Sequence, residues 1–281
     1  MQQRPHAAAV GEEISPAAQP PRRSRQERRR SVTMALALHG FTLTALAAWW
    51  IYSQFVPAYL VPGPEAVFLR MAEFLVSPML LSQLSVSLGH VVASIALAFV
   101  IGSALAFSAQ YLRLTRLLID ARLTPFLNAF SGIGWLFLAI LWFGMDSVTV
   151  IFAVTMILIP FTAINIRTGL IELDRELVEL GLSLSRHRLR IAMRIIVPML
   201  VPYLFAALRT SFGVAWKVVL TAELFGGNAG VGYILDVARQ EFDTETVFAI
   251  IAFILLFVAL VEAAVFRPVQ RRLDQRFRLD V

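Results

Sequence analysis

The sequence predicts an all-α polytopic membrane protein with six transmembrane helices, on three grounds. The 281 residues are 58% hydrophobic with a mean hydropathy of +0.72, too apolar for a water-soluble domain of this length. The apolar residues gather into six runs of about 20, the length a helix needs to cross the hydrocarbon core while satisfying its own backbone. Most basic residues fall between those runs on alternate sides, as retention of Arg and Lys in the cytoplasm demands.

Residues 1–33 carry Pro16, Pro20, Pro21 and the cluster Arg22-Arg23-Ser24-Arg25, then Arg28-Arg29-Arg30. Such a segment has too little apolar surface to pack. It is expected to be a disordered basic tail resting on anionic lipid. The transmembrane domain then occupies residues 34–281, with spans at about 34–52, 84–109, 125–143, 147–166, 199–222 and 247–266. The first is read as a retained helix, since no small-residue cleavage site follows it. With the N-terminus inside, the cytoplasmic side holds seven Arg in the tail, three in 111–124, six in 167–198 and five after residue 266. That is 21 of the 25 basic residues. Both termini are therefore placed in the cytoplasm. The sequence pI of about 10.4 does not imply nucleic acid, because the basic residues sit beside helix ends and not among stacking aromatics. There are no cysteines and only four histidines, scattered along the chain. Disulfides and thiol chemistry are excluded, and no metal cluster is suggested.

Within the second span, Ser94, Ala98, Gly102 and Ala106 share one face at four-residue spacing, which suits close helix packing or a pathway lining. His90 reads as a satisfied interfacial histidine. The third span ends in Leu141-Trp142-Phe143-Gly144, and the short turn Met145-Asp146 makes the third and fourth spans antiparallel neighbours. The fifth span is unusual in carrying Arg209, Lys217 and, at its end, Glu223. A charge at the bilayer centre costs about 2.5–3.5 kcal/mol even on a lenient scale. These residues must face protein or water: either they pair with one another, Glu223 being the first candidate carboxylate, or the cations contact a permeating anion. Lys217 is the only lysine in the chain. Its neighbour Trp216 is expected to offer an aromatic wall to an organic solute. The glycines from Gly226 to Gly232 are no phosphate loop, because no Lys-Ser or Lys-Thr follows; tight turns at the external mouth, then a short surface helix over 233–242, are expected.

The segment 167–198 is polar between two spans, with six Arg against Glu172, Asp174, Glu176 and Glu179. Residues 174–184 can form a helix with Leu177, Leu180 and Leu184 on one face. That ridge can enter a partner's groove or lie on the membrane. The frame Glu179-Leu180-Gly181, Ser185, Ile195, Val197-Pro198 resembles the cytoplasmic loop of binding-protein-dependent ABC importer permeases. There the pattern is Glu-Ala-Ala, three residues, Gly, nine residues, Ile, one residue, Leu-Pro. From about residue 61 to 277 the chain is similar to the permeases for nitrate, sulfonates and taurine, a group that also carries riboflavin and thiamine-precursor pyrimidines. The similarity rests also on Leu141-Trp142-Phe143-Gly144, on Asn165 with Thr168-Gly169-Leu170, on Pro198 with Pro202, on Ala215-Trp216, Ala222-Glu223 and Gly230-Val231-Gly232-Tyr233.

The resemblance implies the type I importer permease fold in the bacterial inner membrane and a pathway for a small organic solute; Lys217 favours an anionic one of the sulfonate, taurine or nitrate class, with riboflavin or a thiamine-precursor pyrimidine as the alternative. It implies a second permease copy, an ATP-binding subunit that holds ATP and Mg, and a periplasmic or lipid-anchored solute-binding protein. The chain itself is then no enzyme and needs no cofactor. Asp174, Leu177, Glu179, Leu180, Gly181, Leu184, Ser185 and Pro198 would couple to the ATPase. Lys217, Trp216, Arg209, Glu223 and Ser131 would face the pathway. Three departures stand out: Leu180-Gly181 replaces Ala-Ala, Ser185 replaces Gly, and Ser131 and Phe137 replace prolines common in the family's third span, which should leave that helix straighter. Two other classes compete. An ion-gradient-driven transporter would need paired intramembrane carboxylates, and only Glu262 lies well inside a span. An intramembrane enzyme would need a nucleophile and base or a metal cluster, and neither is visible.

Overall fold

The structure, a computed structural model, describes residues 25–111, 126, 129–172, 183 and 192–277. The chain divides into two units, Met1–Ile51 and Tyr52–Val281. Helix α1, Arg25–Phe55, belongs largely to the first. It starts well before the end of the tail expected at residue 33, because Arg, Gln and Glu are good helix formers and extend the apolar run backwards.

The second unit is a helical bundle. It begins with α2, Pro64–Val76, between the first and second expected spans. Proline at the first helical turn and Glu65 beside it set its start, and Val67 and Phe74 are its buried residues. At 13 residues it is too short to span; it packs on the helices Pro78–Tyr111 and Thr244–Val261. There follow α3, Pro78–Tyr111; α4, Gly132–Phe143; α5, Ser147–Ile171; a π-helical turn, Ala192–Ile196; α6, Val197–Gly226; α7, Val231–Gln240; α8, Thr244–Val261; a second π turn, Glu262–Phe266; and α9, Arg267–Phe277. No strand occurs among the described residues. Four stretches there are long and apolar enough to cross a membrane: Pro78–Ala109, Ser147–Ile171, Met193–Gly226 and Thr244–Gln275. The shorter α4 is apolar throughout. Exposed Leu97, Val100, Leu141, Leu255 and Leu260 are the outward faces such helices offer to lipid.

Helix α5 is central, packed against α3, α4 and α6. The small-residue face of α3 meets it: a Cβ on Gly102 would lie 3.0 Å from Thr162 Cβ, and the Ser94 hydroxyl donates to the Ile151 carbonyl at 3.3 Å. Val91, Ala98, Ala139, Val150, Leu158 and Val219 fill the shared core. Between α4 and α5, Gly144 takes φ +74°, a left-handed conformation that glycine adopts without steric cost. Its carbonyl accepts from the Thr149 hydroxyl at 2.6 Å.

The third span is not the straight helix expected. Residues 126 and 129 are helical, the chain then bends at Phe130, and α4 restarts after Ser131 in an extended conformation (φ −62°, ψ 140°). Two features make the break. Ser131, Gly132 and Gly134 weaken helix propagation. The Phe130 ring folds back over Gly134, where a Cβ would lie 2.8 Å from it, and packs on Trp135 with ring centroids 4.7 Å apart. Loss of the family's prolines has therefore not removed the interruption.

Candidate solute pathway

A cavity of about 220 Å³ opens where α4, α5 and α6 converge; Gly132, Ile133 and Leu136 line it from α4, Ile157 from α5, and Lys217 and Thr221 from α6. Its walls are apolar apart from the last two. The Thr221 hydroxyl donates to the Lys217 carbonyl at 3.0 Å, so its hydrogen is committed to the backbone. Lys217 is exposed, and no ion pair joins its ammonium to a carboxylate of the described residues. On α6 the exposed residues Ala206, Thr210, Lys217 and Thr221 form a small, polar face unlike the leucine-rich faces of α3 and α8. An ammonium held there without a counter-charge is a standing attraction for anions.

Beyond the cavity, α6 ends in a buried polar assembly. Glu223 is fully buried. Its carboxylate accepts from the Ser87 hydroxyl and from the Gly232 amide, each at 2.8 Å, and lies 2.8 Å from Nδ1 of His90. The Val231 amide donates to Ser87 Oγ at 2.8 Å and the Gly230 amide to Gln83 Oε1 at 2.6 Å. Three successive amides at the start of α7 are thus satisfied by side chains of α3 and α6. A negative carboxylate at a helix N-terminus also meets the favourable end of its dipole. Glycine is required at two places for this approach. Gly230 has φ +104°, and a Cβ on Gly232 would lie 2.7 Å from that of Glu223. The glycines therefore serve close packing more than free turns, and α7 starts two residues earlier than expected and is buried at Val231, Gly232 and Ala238.

These contacts revise several expectations. Glu223 partners neither Lys217 nor Arg209, and, being buried in the α3–α6–α7 junction, it does not face the cavity. Arg209 instead pairs with Glu262, so the one carboxylate noted inside the last span is neutralised by the neighbouring helix. Trp216 is 1% exposed and packs between Phe212 and Phe257. One residue is 100° of helix, which turns Trp216 into the core when Lys217 faces out; it is no wall of the Lys217 cavity. Ser131 is exposed just before the cavity residue Gly132. His90, expected at an interface, is buried as a partner of Glu223.

Sequence reasoning missed Gln83 and Ser87. The available signal was their spacing with His90 and Ser94, a polar stripe at i, i+4, i+7 and i+11 along an otherwise apolar helix. Of the coupling residues, Asp174, Leu177, Glu179, Leu180, Gly181, Leu184 and Ser185 lie outside the described residues. Pro198 is exposed near the start of α6. That end of the bundle is fastened by the Tyr203 hydroxyl, which donates to Glu172 at 2.6 Å.

A bundle with several helices long and apolar enough to cross a membrane is the architecture of a multi-pass membrane protein. A solved structure of the inward-facing MetNI methionine ABC transporter shares the fold, with a TM-score of 0.60 and 16% identity over 69% of this chain and 96% of that one. The taurine transport system permease protein TauC of Escherichia coli is 23% identical over 87% of this chain and 90% of its own length. A Bacillus subtilis protein named as the aliphatic sulfonates transport permease SsuC is 29% identical over 73% of this chain and 74% of its own. The chain belongs to the family of binding-protein-dependent transport system inner membrane components, whose pattern matches residues 98–279. It is a multi-pass permease subunit of an ABC importer.

Proposed function

We propose that this permease carries a small organic anion of the sulfonate type, with the Lys217 ammonium as the charge that attracts it. The carrying observation is the unpaired ammonium in a cavity of about 220 Å³. The named substrates of SsuC and TauC, aliphatic sulfonates and taurine, agree with it. Two copies associate around the pathway. ATP and Mg belong to a separate ATP-binding subunit, which engages segment 167–198 through Asp174, Leu177, Glu179, Leu180, Gly181, Leu184 and Ser185, with Pro198 closing the segment. A solute-binding protein docks at the end bearing α7, outside the cytoplasm, and both termini lie inside.

The chain has no cysteine, which permits a direct test. In a Thr221→Cys variant of the assembled complex, an anionic methanethiosulfonate should react about tenfold faster than a cationic one of similar size, each rate taken relative to that reagent's rate with a free thiol, given an exposed ammonium within a few ångströms at near-aqueous dielectric. Adding Lys217→Met should abolish the preference. Equal rates in the presence of Lys217 would overturn the anionic reading and favour neutral solutes such as riboflavin or a pyrimidine.

A further inference from the structure

The cavity has a chemical asymmetry beyond its charge. Its one ammonium sits on α6, and the opposing wall is hydrocarbon, supplied by Ile133 and Leu136 of α4 and Ile157 of α5. Among the described lining residues no other group can donate to a solute, since the Thr221 hydrogen is taken by the Lys217 carbonyl. An anion without an apolar part gains only the ammonium there and surrenders water to walls that return nothing. An anion with a short alkyl part gains on both sides, at about fourfold in affinity per methylene buried.

The room for that alkyl part is narrowed at one point of the wall. Ile157 reaches across from α5 to the first turn of α4, where it meets Gly132 so closely that a Cβ would lie 3.0 Å from its Cδ1. The backbone of α4 is fixed at this point by the break at Ser131 and by Phe130 lying over Gly134, so this part of the cavity wall is a side chain set against a bare glycine. Resting on the anionic reading above, we infer that Ile157, opposed by Gly132, is a specificity-determining residue that limits the hydrocarbon length of the transported anion. The permease thus filters solutes a second time, after the binding protein.

The test is uptake into proteoliposomes holding the permease, its ATPase subunit and its binding protein. The probes are ethane-, butane- and hexanesulfonate, with nitrate as an anion lacking a tail. Taking the ratio of variant to wild-type rate for each probe cancels the binding protein's own selectivity. Ile157→Ala should raise the ratio progressively with chain length, on the order of tenfold between ethane- and butanesulfonate, and leave nitrate unchanged. Ile157→Val should do the same to a smaller degree, and Gly132→Ala should reverse the trend. Copurification with the ATPase subunit establishes assembly, and the valine variant removes a single methyl in case the alanine variant does not assemble. A flat ratio across chain length in an assembled Ile157 variant overturns the filter. If Lys217→Met still loses sulfonate uptake, the anionic reading survives that failure; if uptake by Lys217→Met is unchanged, the anionic reading itself falls.

Discussion

Glu223 shows how much one buried carboxylate can organise. Its oxygens take a hydroxyl from α3 and an amide from α7 and face the His90 imidazole, and the side chain is fully buried. Removing it by Glu223→Ala leaves those partners buried without an acceptor. We expect a loss of about 3–5 kcal/mol, the range for breaking a buried pair on one side, seen as a lowered Tm of the detergent-solubilised complex. Glu223→Gln keeps the volume and can leave its oxygen to Ser87 and Gly232 while its NH2 donates to Nδ1 of a neutral His90, so it should lie between wild type and alanine. A Glu223→Gln protein as labile as Glu223→Ala would show that charge, and not hydrogen-bond geometry, holds the junction. The sequence displayed Glu223 as a costly intramembrane charge but did not disclose its partners. Ser87 and His90 lie more than 130 positions away, and a contact at that separation depends on how α3 and α6 pack.

Among the elements, α4 is the clearest case of local sequence and packing acting together. Its interruption at Ser131 has φ −62°, within the range that proline fixes, and the Ser131 amide makes no hydrogen bond in the described structure. Ser131→Pro should therefore be neutral or stabilise by about 0.5 kcal/mol through the unfolded chain, as measured by thermal unfolding. A loss of several degrees in Tm would mean that the serine side chain or its amide has a role in the native bundle. Helix α2 teaches a different lesson. Its 13 residues are too few for a spanning signal, and its amphipathic pattern became meaningful only with α8 and α3 packed against it.

Over the whole molecule, α2 is fastened to the start of α8 by Arg70. Its guanidinium donates to the Thr246 hydroxyl at 3.1 Å, to Glu73 at 3.0 Å and to Asp243 at 3.3 Å. Asp243 in turn caps α8 by accepting the Thr246 amide at 3.0 Å. Burial is the largest single influence on Asp243 and pushes its carboxyl up, yet the Thr246 hydroxyl and amide with Arg70 together hold it below its ordinary value. The Arg70 guanidinium is raised, first by its bond to Glu73. A carboxyl with a depressed folded pKa contributes stability above its unfolded value and loses it as pH falls through the folded one. The fastening should therefore hold at neutral pH and weaken below about pH 4. Because both side chains are roughly two-fifths exposed, the ion pair itself contributes only about 0.5 kcal/mol. Hydrogen exchange in α2, corrected for its intrinsic pH dependence, should show protection falling through that acid range, and less so in Thr246→Val. Protection independent of pH would remove Asp243 from this role.

The amino-acid pattern by itself determined the solvent, the helical class and the family. Runs of about 20 apolar residues can satisfy their backbone in lipid in essentially one way, and the spacing from Glu179 to Pro198 needs no third dimension to be compared. It also marked Arg209, Lys217 and Glu223 as residues that must have a reason to be where they are. Which reason belongs to which residue was decided only by the tertiary structure. A one-residue step along α6 sends Trp216 into the core and Lys217 to the cavity, and the approach of α3 and of the π turn after α8 to α6 gives Glu223 to His90 and Arg209 to Glu262. Hydrophobicity is summed along a chain and can be read there. Pairing of charges depends on angles and distances between helices far apart in sequence, and those exist only once the bundle has formed.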